Sequence, residues 1–231
     1  MSAENAFDKR YVDPKDQSKI EGLLELFNLP PKVIAFLRVY RWPLQIGLVA
    51  AVIGIVGWSV YGSYRERQIE NGASALSLAL QEVGPMRKEA LDRVVQQFDS
   101  TSSATWAQVE LANLAMADKD FAAASAGYTA VNEKVERDNP LFALTLYGIA
   151  ESEEARGGND AAYAAFDRLK AVPGYELVGY TGMARIYLAK GQVEKALGIY
   201  GQYLAMLGDS PEDGSKKAFI EAKIAQIKAR Q

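Results

Sequence analysis

Residues 180–204 read YTGMARIYLAKGQVEKALGIYGQYL, and their spacing decides the fold. Large or small apolar side chains fall at Tyr180, Met183, Ala184 and Tyr187, then again at Ala196 and Tyr200. Steps of three and four residues place each set on one face of a helix. Gly191, after Lys190, stands where the chain must turn between them. The stretch therefore predicts two helices packed as a hairpin. Alanine at the crossing lets the pair approach closely, and the aromatic rings reach toward whatever lies next.

Working outward, the same pattern returns. Leu146, Ile149, Ala150, Gly157, Ala162 and Phe166 repeat it, with Glu153 where the first helix otherwise carries an aromatic. Leu111, Ala112, Ala124 and Tyr128 repeat it again, with Lys119 where the glycine would sit. Ala112, Ala150 and Ala184 are 38 and 34 residues apart, and Ala90 and Val94 suggest a weaker copy 34 residues before Ala124 and Tyr128. This set of large, small and aromatic positions resembles the tetratricopeptide repeat. The resemblance covers about residues 73–207 and implies stacked hairpins, because one unit cannot bury its face alone.

The rest of the chain after Tyr64 also reads as helix, so the expected fold class is all-α. The breaks are GP at 84–85, DSTSS at 99–103, RDNP at 137–140, GGND at 157–160, PG at 173–174, KG at 190–191 and GDSPEDGS at 208–215. From Ser215 to Arg230, Phe219, Ile220, Ile224 and Ile227 share one side, as a terminal capping helix requires.

Before the repeats lies a different kind of segment. Pro43 to Tyr61 is nineteen residues without a charge, and Gln45 and Ser59 are its two polar side chains. As a helix it is about 28 Å long, close to the hydrocarbon thickness of a bilayer. Arg41 and Trp42 flank one end; Trp58, Tyr61, Tyr64, Arg65 and Arg67 flank the other, as membrane interfaces favour. The chain thus divides into an N-terminal segment (1–41), a transmembrane helix (42–64) and a repeat domain (65–231). Lys32, Arg38 and Arg41 against Arg65 and Arg67 favour a cytoplasmic N-terminus, with the repeats on the outer side. Gly47 with Ala51, and Ala50 with Gly54, form small-residue ridges that allow a homo-oligomer through the span. In the N-terminal segment Ile20, Leu23, Leu24 and Phe27 share a helical face, which either docks a partner or rests on the lipid bilayer.

Composition narrows the function. There is no cysteine and no histidine, and the net charge is -3. Disulfides, thiolate nucleophiles and imidazole bases are excluded, and no cofactor or metal is expected. Without a basic block, a nucleic-acid partner is not expected. Carboxylate catalysis remains chemically open in the cluster Glu151, Glu153 and Glu154, but its one side-by-side pair, Glu151 and Glu154, lacks a shaped pocket and reads as an exposed acidic helix end. An enzyme is not expected.

The tetratricopeptide resemblance implies a groove built from the first helix of each repeat, receiving a peptide or partner helix. Carried across, it assigns Trp106, Val109, Asn113 and Met116 to that groove, with Leu144, Tyr147 and Glu151, and with Thr181, Arg185 and Leu188. Trp106 is equally readable as a core residue closing the stack. The order of segments further resembles the bacterial single-span tetratricopeptide proteins that include the ancillary subunit of the Sec translocon. That resemblance implies a bacterial inner-membrane protein with periplasmic repeats, partnered by the Sec translocon and exported polypeptides in a chaperone-like role. The alternative is a scaffold subunit of another envelope complex for cell-wall synthesis, division or secretion. The Ile20–Phe27 segment departs from what the family leads one to expect.

Overall fold

The computed structural model describes Phe36 and residues 39–230, and the chain divides into two compact units, Met1–Tyr64 and Arg65–Gln231. The Ile20, Leu23, Leu24 and Phe27 face lies outside the described residues. Among the described residues every regular element is an α-helix. The long first helix, α1, runs Arg41–Gln81.

In the first unit, α1 is long and apolar enough to cross a membrane, and none of its most apolar stretch is buried. Ile53, Ile55 and Trp58 expose 66%, 70% and 82% of their surface. Water does not tolerate so long a run of bare apolar side chains, which marks this segment as a candidate span. The helix continues past the apolar run because Arg65, Glu66, Arg67 and Gln68 are good helix formers. It ends only before Gly84 and Pro85; Gly84 has φ 57 and Pro85 opens the next helix.

The second unit holds the end of α1 and eight further helices. They are α2 (Pro85–Gln97), α3 (Ser102–Ala117), α4 (Phe121–Asn132), α5 (Pro140–Ala155), α6 (Asn159–Leu169), α7 (Glu176–Ala189), α8 (Val193–Met206) and α9 (Pro211–Lys228). Their starts follow local chemistry. Thr101, Asp120, Asn139 and Ser210 each accept a hydrogen bond from a first-turn backbone N–H, satisfying a group that the helix itself leaves unpaired. At Ser210 this cap, followed by Pro211, starts α9 inside the stretch 208–215 that composition alone reads as a break.

Helices α3–α4, α5–α6 and α7–α8 form the three stronger repeat hairpins. Their crossing alanines, Ala112, Ala124, Ala150, Ala162, Ala184 and Ala196, are at most 2% exposed. Between hairpins, the ring of Tyr128 on α4 meets Gly148 on α5, and the ring of Phe166 on α6 meets Gly182 on α7. A full-size side chain at either glycine would collide with the ring. Phe166 is 1% exposed, and burying such a side chain contributes about 1.5–3 kcal/mol. At the front of the stack, Ala79 of α1 packs with Leu91 and Val94 of α2 and Ala107 of α3, so the end of α1 serves the weak first repeat as its leading helix. At the back, Ile220 of α9 is fully buried in the last core cluster, with Ile224 and Ile227 half-buried beside it.

Candidate partner-binding face

The leading helices α3, α5 and α7 carry every predicted groove residue, and the structure divides those residues into three kinds. Trp106, at the start of α3, is 42% exposed, so it does not close the core. It borders a cleft of about 580 Å³ with Ser102, Thr105 and Asn139. Tyr147 on α5 is also open, at 43%. Met116, Leu144, Thr181 and Leu188 are half-buried, each showing part of its surface.

Two residues have other tasks. Val109 is 1% exposed within a core cluster with Ala112, Ala124 and Tyr128. It presents nothing to a partner, and its assignment to the groove is corrected: its position on α3 turns toward α4. Asn113 remains exposed, but its Oδ1 accepts a 2.6 Å hydrogen bond from the Tyr128 hydroxyl, tying α3 to α4.

Glu151 and Arg185 come together from neighbouring repeats. The Arg185 guanidinium on α7 donates to Glu151 at 2.5 Å and to both carboxylate oxygens of Glu154 at 2.6 Å. It also lies 5.5 Å over the Phe166 ring. The hydrogen bond to Glu154 raises the Arg185 pKa, with Glu151 adding to it. Burial, then the negative Glu151 beside it, raises the Tyr147 phenol above its ordinary value. The result is a preset surface: an open phenol ring, two carboxylates sharing one guanidinium, and the apolar edges of Leu144 and Leu188. It offers hydrogen bonds and apolar contact with little mobile charge, which suits capture of a polypeptide segment.

The acidic run is not a solvated helix end as a whole. Glu153 is 6% exposed, accepting a hydrogen bond from Ser125 Oγ and another from Arg156 Nε at 2.8 Å. This explains how a carboxylate replaces the expected aromatic. The buried charge is matched by a hydroxyl on α4 and a guanidinium one turn on. Among the described residues no three acidic side chains gather as a metal site.

Sequence reasoning missed Ser125, Asn132 and Arg168. Asn132 is 5% exposed, donates to Phe142 O and Thr145 Oγ1 at 3.0 Å, and accepts from Arg168 at 2.9 Å. The available signal was a lone serine and asparagine on the otherwise small, apolar face of α4.

Stacked hairpins presenting one face from their leading helices define a helical-repeat interaction protein. Residues 35–228 match the family described as tetratricopeptide repeat-like domain, and the chain belongs to that family. No curated protein matches the chain. Among solved structures it is similar to Podosopora anserina TPR-like repeats described as a kinesin light chain, at 19% identity, over 71% of this chain and 85% of that one, with TM-score 0.49. A substituted form of the same protein gives 18% identity, 72% and 94% coverage, and TM-score 0.45. Such repeats typically serve as non-catalytic scaffolds for protein partners.

Proposed function

We propose that this protein is a single-span adaptor of a bacterial inner membrane, with its N-terminus in the cytoplasm and its repeats in the periplasm. There it attends the Sec translocon and receives segments of exported polypeptides in a chaperone-like role. The observation that carries this reading is the open Tyr147 ring beside the Glu151–Arg185 pair, on a repeat unit preceded by one apolar helix of spanning length. A half-apolar, half-polar face suits brief contact with varied chains better than tight capture of one.

The test is a photoreactive amino acid placed at Tyr147 in the full-length protein in living cells, with crosslinked products identified by mass spectrometry. The reading expects the translocon channel and several exported polypeptides. Consistent recovery of cell-wall, division or secretion components, without the channel, would replace it with a scaffold role in that assembly. Protease added to sealed inner-membrane vesicles, cytoplasmic face outward, is expected to spare residues 65–231. Their digestion would defeat the periplasmic placement.

A further inference from the structure

A second cleft, of about 330 Å³, lies where the turns after α4 and α6 meet. Phe142, Ala171, Val172 and Pro173 line its apolar part, and Arg137 and Arg168 stand in its wall. None of the leading-helix residues Trp106, Tyr147 or Arg185 contributes to it.

The two guanidiniums differ in how they are held. Arg168 donates to the buried Asn132 and lies 5.9 Å from the Phe142 ring centroid, so its position is fixed from behind. Arg137 sits in the RDNP turn and is exposed. Neither has a carboxylate within ion-pair distance among the described residues, although seven other such pairs form there. Asp167, one residue from Arg168, is instead paired with Lys170 at 2.6 Å. Two cations without acidic partners, bordering an apolar hollow, match one kind of ligand by charge and by shape. That ligand carries a carboxylate next to an apolar side chain. Guanidinium presents a planar pair of donors to such a carboxylate, and the hollow takes the adjoining hydrophobic group.

We infer that this cleft is a second peptide-binding site, which takes a segment with an acidic residue beside a large apolar one. The site does not rest on the translocon reading. It allows one protein to hold two segments, or two partners, at once, which raises the effective concentration of the second contact.

The test uses the full chain in nanodiscs of zwitterionic lipid and a fixed array of fluorescent octapeptides in a glycine–serine background. Each peptide pairs glutamate or aspartate with phenylalanine, leucine or tryptophan, internally or at the C-terminus, beside a counterpart carrying the matching amide. The expected result is saturable binding of acidic members, weakened about tenfold in the amide counterparts, as loss of a charge-assisted pair implies. Arg137→Gln removes a side chain with no ion-pair partner among the described residues, so it is expected to leave melting unchanged while weakening binding about fivefold or more. Arg168→Lys is expected to weaken it too, since lysine lacks the planar fork. The inference is overturned if no acidic peptide binds more tightly than its amide counterpart, or if Arg137→Gln binds as the parent does. Association with phosphatidylglycerol vesicles, lost in Arg137→Gln without any peptide binding, would also overturn it and assign the arginines to lipid.

Discussion

Tyr128 on α4 stands against Gly148 on α5 so closely that a Cβ at position 148 would come within 2.7 Å of the ring. The contact joins one repeat to the next, and the same joint recurs between Phe166 and Gly182. The Tyr128 ring is held at its far end by the hydrogen bond to Asn113, so it cannot swing aside freely. Gly148→Ala is therefore expected to destabilise the repeat unit by about 1–3 kcal/mol, the usual cost of overfilling a packed core. Gly198 on α8 provides the contrast, because nothing lies within 4 Å of a Cβ there. Gly198→Ala is expected to stabilise by about 0.5–1 kcal/mol through helix propensity. Thermal melting of the two variants, followed by circular dichroism, should move in opposite directions.

Lys119 holds φ 62, and it is the one described residue other than glycine with positive φ. The next repeats place Gly157 at φ 85 and Gly191 at φ 67 in the corresponding turns. A lysine there bears a steric cost that glycine does not. Lys119→Gly is expected to raise stability by about 0.5–1 kcal/mol, the left-handed strain relieved less the entropy that glycine loses on folding. Chemical denaturation would read this as a higher midpoint with an unchanged slope. A lower midpoint would show that the Lys119 side chain contributes more than its backbone costs.

The two glycine-type sites show what the amino-acid pattern makes legible. Repeat phase depends on size at fixed intervals, so Ala112, Ala150 and Ala184 located the crossings correctly, and each is buried. The anomalies at Lys119 and Glu153 were visible as departures, but their resolution was not. Glu153 is accommodated by Ser125, which lies 28 residues earlier and meets it only once α4 and α5 have packed. The candidate face was partly legible for a related reason. Helical periodicity gives a face to within a residue or so, and that margin separates the buried Val109 from the exposed Trp106 and Asn113. Arg185 was legible as a surface residue, whereas its two carboxylate partners on α5 depend on how successive repeats stack.

Ser125 and Glu153 give a prediction about coupling. Ser125→Ala leaves the buried carboxylate one donor short and is expected to cost about 1.5–3 kcal/mol, the range for hydrogen bonds to charged groups. Glu153→Gln retains the shape but removes the charge and puts an amide donor where one of the two accepting oxygens stood. In a double-mutant cycle the two changes are expected to be less than additive by about 1 kcal/mol. Strict additivity would mean that Arg156 alone satisfies Glu153.

Alkaline pH tests the tyrosine packing. Burial, followed by the hydrogen bond with Tyr187, raises the Tyr163 pKa to about 12, and burial also raises those of Tyr128, Tyr200 and Tyr203. The unfolded chain loses these protons near pH 10. Below that pH both states are protonated and the folded state keeps its full stability. Above it the unfolded state ionises first, so stability falls as pH rises from about 10 toward 12. Tyrosinate absorbance should lag the model-compound curve until the melting temperature drops. Tyr163→Phe is expected to flatten part of that fall. A melting temperature constant from pH 9 to pH 12 would contradict the burial of these hydroxyls.

The candidate span is open to a direct energetic test at Ile53, which lies near the middle of the apolar run and is 66% exposed. If lipid covers it, Ile53→Arg must place a guanidinium at the centre of the hydrocarbon. Membrane-insertion measurements assign such a residue a cost of about 2.5–3.5 kcal/mol, enough to shift a balanced insertion equilibrium by about a hundredfold or more. Ile53→Leu should be silent, because the apolar surface is conserved. The readout is the fraction of full-length chain that resists alkaline carbonate extraction from isolated membranes. Substantial loss in Ile53→Arg, with Ile53→Leu unchanged, is the expected outcome. Equal retention of both would mean that hydrocarbon does not surround Ile53, because arginine there carries a large penalty only where it does.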